Sequence, residues 1–290
     1  MNTSPDRVAQ AALLSMLIEL SSTPKPGNVD RGHDFDEIKF HHFLISAVSA
    51  YPAFRDAALG SESTGTLIRR AVSSWKGWGL FQNTHFGSVA LLVPLAVAAG
   101  RNGDLKGEVA RVLEETTAED SAEFYAAFNF AGVRVTEVED LSLKDPNAAD
   151  RVRSEGKTLL DLMRLSQGHD LVAREWSTGF MRSFELAELL GRRVAELGLN
   201  DGVVMTYLEA LAEVPDSLVA SKFGLEKAEE ASTRAGSILG LEVKETLRLA
   251  EELDRKFVEE DINPGSTADL IAAALFIALV KGTILRSEEG

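Results

Sequence analysis

Apolar residues recur along this chain at helical spacing. Val8, Ala12, Met16 and Leu20 fall four apart and form one apolar stripe. Ser4-Pro5 ahead of them reads as an N-cap followed by proline in the first turn. Pro24 and Pro26 stop the pattern. A second helix is expected from near Asp36 through Ile38, Leu44, Ile45 and Val48, with Pro52 kinking or ending it. A third carries Leu67, Ile68 and Val72. A fourth, from Thr84 to Ala99, is apolar on every side, so it belongs at the centre of a core. Thr117-Ala118-Glu119-Asp120 is a capping-box start for a helix through Phe124, Tyr125 and Phe128.

Only Val133, Val135 and Val138 alternate with polar residues as a strand would. Asp140 to Asn147 reads as an ordered loop, and helices are expected near 148–165, 169–197, 201–213, 217–239, 242–259 and 266–284. The expectation is an all-α chain, one multi-helix domain over residues 1–290, with roughly ten to twelve helices and a site built from loops at helix N-termini. There is no internal repeat and no low-complexity linker.

Composition sharpens this picture. At 290 residues, 45% of them hydrophobic, the chain can bury a large core. Aromatics are 7%, while alanine and leucine abound, which suits helix-on-helix packing. No cysteine is present, so disulfides, thiolate metal sites and cysteine nucleophiles are excluded. The net charge of -15 argues against nonspecific nucleic-acid binding. The N-terminus lacks a signal-peptide pattern. The longest apolar run, Val89 to Ala99, is too short to span a bilayer and contains Pro94. The expectation is a cytoplasmic protein with small-molecule partners and no nucleic acid or membrane. A homodimer is the base-rate assembly.

Three polar, glycine-bearing loops join helices. The first, Thr23 to Asp34, holds Lys25, Pro26, Gly27, Asn28, Asp30, Arg31 and His33. Prolines stiffen such a loop and glycines let its backbone approach a ligand. Lys25 and Arg31 suit phosphate; Asp30, His33 and Asp34 suit a cation or proton transfer. The same residues also describe an ordinary interhelix turn. The second loop, Phe81 to Gly87, opens the apolar helix, whose N–H groups favour an anion. His85 could act there as an acid, or Asn83 or Thr84 could simply cap the helix. The third, Asn263 to Asp269, opens the last apolar helix, and Ser266 with Asp269 is spaced as a capping box.

Two more acidic places stand beside these loops. Asp170 and Glu175 lie about 140° apart around a helix. They could still approach one ligand if Asp170 sits in the cap; the simpler reading is an Asp170–Arg174 surface pair four residues apart and a solvated Glu175. Asp216, after Pro215, reads as a cap. Histidines at 33, 41, 42, 85 and 169 form no zinc-binding spacing, and His41 and His42 read as structural. There is no P-loop, dinucleotide fingerprint or nucleophile elbow.

Taken in order, Thr23-Pro24-Lys25-Pro26-Gly27-x-Val29-Asp30-Arg31, Asn83-Thr84-His85-x-Gly87 and Pro264-Gly265-x-x-Ala268-Asp269-Leu270 resemble the triphosphoribosyl-dephospho-CoA synthase family. Asp170 to Glu175 and Pro215-Asp216 match its acidic positions, and the resemblance runs from about residue 8 to 282. It is the resemblance to a divergent member. Gly32-His33-Asp34 follows Arg31 directly, Phe86 stands where the family commonly has lysine, and Gly265-Ser266 replaces two glycines.

The resemblance implies an all-helical fold and a transfer of the triphosphoribosyl group of ATP to the 2′-hydroxyl of 3′-dephospho-CoA, with adenine released. ATP is then a substrate and Mg²⁺ the expected cofactor. On this reading Asp30, Asp170 and Glu175 hold the metal and stabilise an oxocarbenium-like transition state, with Asp216 and Asp269 as second choices for the metal. Lys25, Gly27, Asn28, Arg31, Asn83, Thr84, Gly87, Gly265 and Ser266 hold phosphates. His85 or His33 carries the proton, and the three loops share one cleft. The rivals are a ribosyl or phosphoribosyl transferase with another acceptor, a metal-dependent ribosyl hydrolase, and a helical scaffold without activity.

Overall fold

The computed structural model describes residues 4–34, 38–80, 82–101, 103–131 and 148–285. The expected strand at Val133–Val138 and the loop Asp140–Asn147 lie outside them. The described residues form α-helices with no strand: α1 (Pro5–Ser21), α2 (Phe40–Ser49), α3 (Tyr51–Leu59), α4 (Thr64–Ser73), α5 (Phe86–Gly100), α6 (Leu105–Glu114), α7 (Ala118–Ala131) and α8 (Ala148–Glu155). They continue as α9 (Leu159–Ser166), α10 (Leu171–Thr178), α11 (Met181–Leu197), α12 (Leu199–Glu213), α13 (Ser217–Phe223), α14 (Leu225–Ser237), α15 (Val243–Glu259) and α16 (Gly265–Lys281). A short 3-10 turn covers Ser74–Trp78.

These sixteen helices exceed the expected ten to twelve for a physical reason. Each of three expected long helices is two. Glycine with a positive φ ends α8, α10 and α13, at Gly156, Gly179 and Gly224. At Gly179 the turn is closed by Phe180 N–H donating to Glu175 O at 2.7 Å. Helices α3 and α6 were not expected; Asp104 caps α6 through Gly107 N–H. Elsewhere the local signals hold. Ser4 accepts from Arg7 N–H at the start of α1. Thr117 and Asp120 exchange both capping-box bonds before α7. Pro52 lies in the first turn of α3, directly after α2 ends.

The chain divides into two compact units, Met1–Met16 with His41–Met181, and Leu17–Phe40 with Arg182–Gly290. In the first, α5 is the central helix. Val89 to Leu95 are buried on all sides, against α3, α4, α6 and α10. Pro94 stays inside this helix, where its missing N–H leaves the Ala90 carbonyl without an intrahelical partner. Trp176 Nε1–H on α10 donates to that carbonyl at 3.1 Å. The proline gap is thus filled from a neighbouring helix, and α10 is fixed against α5.

In the second unit α16 plays the central part, buried from Leu270 to Ala278 and packed on α12 and α13. Among the described residues no single helix is long and apolar enough to cross a membrane.

Candidate functional site

The first loop lies in the second unit and is built around a buried lysine. Lys25 is fully buried, and its ammonium pairs with Glu19 and donates to Asn28 Oδ1 at 3.0 Å. It also lies 5.9 Å from the Tyr207 ring. A charged lysine removed from water needs such partners. Burial raises the Glu19 pKa, opposed by Lys25 and reinforced by Asp30. Asp30, also buried, accepts from Lys25 N–H at 3.2 Å and from Gly32 N–H at 2.6 Å. Its carboxylate therefore folds the loop back on itself. Arg31 is exposed, and one guanidinium nitrogen donates to Asn200 Oδ1 at 3.0 Å. Asn200 also clasps both backbone polar groups of Thr23, accepting from its N–H and donating to its C=O.

His33 sits between two acids, with Nδ1 3.2 Å from Asp254 Oδ2 and 3.8 Å from Asp30 Oδ1. Burial pulls its pKa down, but the hydrogen bond with Asp254 and the charges of Asp254 and Asp30 prevail, so it is raised. Asp254 further accepts from Gly27 N–H at 2.8 Å. Gly27 has a φ of +76°, and a Cβ there would run into Ile262 O and Phe257. The space a side chain would need is filled by the Ile262 carbonyl and the Phe257 side chain.

The third loop adjoins the first: Asn28 Nδ2 donates to Asn263 Oδ1 at 3.2 Å. The expected capping box of Ser266 and Asp269 is not what starts α16. The helix begins at Gly265, and Ser266 Oγ bonds Ser217 Oγ at 2.9 Å. The capping carboxylate comes from Asp216. Its Oδ2 accepts from Thr267 N–H at 2.7 Å and Thr267 Oγ1 at 2.8 Å. Its Oδ1 accepts from Leu218 and Val219 N–H, capping α13. Burial raises its pKa against these donors. Tyr207, wholly buried, donates its hydroxyl to Pro26 O at 3.0 Å. Burial and the nearby carboxylates Asp216, Glu19, Asp254 and Asp30 push it well above 10.

The second loop lies in the first unit. Asn83 Oδ1 accepts from Phe86 N–H at 3.2 Å, which satisfies the first amide of α5, while the N-cap position itself falls on His85 and has no side-chain cap bond. His85, 3% exposed, has Nδ1 2.6 Å from Ser46 Oγ and packs edge-on against Phe43. Thr84 Oγ1 is buried with no hydrogen-bond partner among the described residues. Phe86 is buried between Phe124 and Phe128. Gly87 falls in the first turn of α5.

Asp170 caps α10, accepting from Val172 and Ala173 N–H at 2.7 and 3.1 Å. Burial raises its pKa, opposed by those two donors. Glu175 is 1% exposed, so it is not the solvated residue of the simpler reading, and Arg174 donates to Gln167 O at 3.2 Å. Among the described residues no three of histidine, aspartate and glutamate gather closely enough to hold a metal ion.

Sequence reasoning missed Glu19, Ser46, Asn200, Tyr207 and Asp254. Glu19 alone left a trace, as an acid between Ile18 and Leu20 on the apolar run before the proline loop. The others sit in helices whose pattern their burial and partners do not disturb.

Comparisons with known proteins agree with one another. The family model described as ATP:dephospho-CoA triphosphoribosyl transferase matches residues 5–287. A relative from Pseudomonas savastanoi pv. phaseolicola, named "Probable 2-(5''-triphosphoribosyl)-3'-dephosphocoenzyme-A synthase", is 25% identical, covering 94% of this chain and 90% of its own. One of the same name from Stutzerimonas stutzeri is 26% identical over 95% and 92%. A crystal structure from Archaeoglobus fulgidus that carries the triphosphoribosyl-dephospho-coA synthase name superposes with a TM-score of 0.68 at 30% identity. It covers 82% of this chain and 99% of that one.

Proposed function

This chain belongs to the ATP:dephospho-CoA triphosphoribosyl transferase family, and we propose that it moves the triphosphoribosyl group of ATP to the 2′-hydroxyl of 3′-dephospho-CoA. The bond from C1′ to adenine breaks and a bond from C1′ to the acceptor oxygen forms. The hydroxyl proton leaves to a base, and adenine departs with a proton. The match over nearly the whole chain, with its loops in the family's order, carries this reading.

The residues divide the work by what surrounds them. The N-terminus of α5, with Asn83, Thr84 and the Gly87 backbone, suits phosphate, because its amides offer donors and positive dipole charge. Arg31, exposed at the tip of the first loop, supplies a guanidinium for phosphate oxygens. Lys25 is kept from solvent, so its part is to set the loop that presents Arg31, with Gly27 and Asn28. The backbone at Gly265 and the Ser266 hydroxyl, at the start of α16, are the third phosphate-binding element. Asp30, Asp170 and Glu175 are the carboxylates for oxocarbenium stabilisation, and His85 carries the proton.

Mg²⁺ belongs to this reading as the ion that neutralises the triphosphate. Asp216 does not fit it, because both its oxygens already accept two donors each. Asp170 fits better. Its Oδ1 takes the two cap bonds, which leaves Oδ2 as an acceptor for a cation that needs only one or two carboxylates beside phosphate oxygens. Glu175, and Asp269 on α16, are the other carboxylates to test. The reading extends to a cytoplasmic homodimer, the commonest assembly of soluble enzymes.

One observation favours a second reading in which donor or acceptor differs. The residue after His85 is committed to the Phe124–Phe128 core, where the family commonly places a lysine. Mass analysis of products from ATP, Mg²⁺ and 3′-dephospho-CoA tests the proposal. A dephospho-CoA carrying one added triphosphoribosyl group supports it; an unmodified acceptor beside intact ATP supports the second reading, and an unmodified acceptor beside consumed ATP a hydrolase.

A further inference from the structure

We propose that Ser46 is a positioning residue that fixes the tautomer of His85, with the proton on Nδ1 and the lone pair on Nε2. Ser46 Oγ lies 3.0 Å from Phe43 O and 2.6 Å from His85 Nδ1, and Ser46 is fully buried. A serine hydroxyl carries one hydrogen. A backbone carbonyl can only accept, whereas a ring nitrogen of histidine can donate or accept.

If the hydroxyl hydrogen pointed to Nδ1, Ser46 Oγ and Phe43 O would face each other as two acceptors with no hydrogen between them, at a serine that is fully buried. The arrangement that satisfies both contacts has Ser46 donating to Phe43 O, one turn back on α2, and Nδ1–H donating to Ser46 Oγ. In neutral imidazole the hydrogen bond made by one nitrogen sets the state of the other. Nε2 is therefore the basic nitrogen. The Phe43 ring, edge-on to the imidazole at 4.9 Å between centroids, restricts its rotation.

This gives His85 a direction. Neutral His85 takes a proton at Nε2 and does not give one from there, so in the transfer it serves first as the base for the acceptor hydroxyl. That consequence rests on the function proposed above; the tautomer itself does not.

The test is nitrogen-15 NMR of the imidazole in the intact protein, labelled at histidine, at a pH where His85 is neutral. Its signals are assigned by their loss in His85→Gln. The expected pattern is a protonated Nδ1 and an unprotonated Nε2, lost or inverted in Ser46→Ala and retained in Ser46→Thr. A protonated Nε2 in the unaltered protein overturns the inference, whether or not the protein is active. If transfer activity is established, Ser46→Ala should lower kcat by about tenfold or more with KM within about twofold. Unchanged kcat together with an unchanged tautomer would reduce Ser46 to packing.

Discussion

Trp176 Nε1–H donates to Ala90 O at 3.1 Å, and Ala90 is the residue whose carbonyl Pro94 leaves unpaired four positions on. Two local irregularities thus answer each other. A proline sits inside the most apolar helix, and a tryptophan two positions from the end of α10 supplies the missing donor. Removing that donor strands a buried acceptor, at a cost of about 1–3 kcal/mol. Trp176→Phe should therefore lower unfolding stability in urea by that amount. Pro94→Ala restores an N–H in the helix, so the tryptophan change should cost less in its presence. Additive losses in the double-mutant cycle would contradict the pairing.

Asp216 holds two helix starts, α13 through Leu218 and Val219 and α16 through Thr267. Each lost cap costs about 0.5–2 kcal/mol. Asp216→Ala should thus destabilise by more than a single cap does, and Asp216→Asn should recover only part. Its amide can accept from one helix but would turn N–H groups toward the donors of the other. Urea unfolding of the two variants distinguishes this from a surface acid, whose replacement would be near neutral.

The pairing of His33 with Asp254 has a pH signature. The folded-state pKa of His33 is raised above its ordinary value near 6.5. The stability it contributes is therefore complete below pH about 6.5 and is lost as pH rises through the folded value. Stability measured from pH 5.5 to 8.5 should fall across that window, and Asp254→Asn should flatten the fall. A profile identical in both proteins would show that the pair does not titrate as described.

Gly27 has no room for a side chain, since a Cβ would meet Ile262 O and Phe257 at a φ of +76°. Gly27→Ala should destabilise by about 1–3 kcal/mol. Gly60, at a φ of +63° with open space around it, should tolerate alanine better. Thermal unfolding of the two variants is the comparison to make; equal losses would mean that backbone conformation, and not packing, sets the cost.

Much of the helical scaffold is legible in sequence because its signals are local. Ser4-Pro5, Thr117 with Asp120, and the unbroken apolar surface of α5 each act within a few residues of the structure they specify. The breaks at Gly156, Gly179 and Gly224 are harder to read. A lone glycine in a helical pattern costs about 1 kcal/mol, and only its positive φ in the folded chain reveals an end. The site divides the same way. The bond from Phe86 N–H to Asn83 reaches only three residues. Asp216 on Thr267, Asp254 on Gly27 and Asn200 on Thr23 span 51, 227 and 177 residues. No spacing rule reaches so far. The capping box assigned to Ser266 and Asp269 failed for that reason, because the carboxylate came from a different helix start.

An acceptor-dependent transfer must release free adenine only when 3′-dephospho-CoA is present. Purified protein is incubated with ATP and Mg²⁺, with and without 3′-dephospho-CoA, and adenine is followed by chromatography. Release is expected only with the acceptor present, and it should fall by about a hundredfold or more in Glu175→Gln. Release at the same rate without the acceptor would contradict transfer and identify a hydrolase; no release under either condition would contradict the assigned donor.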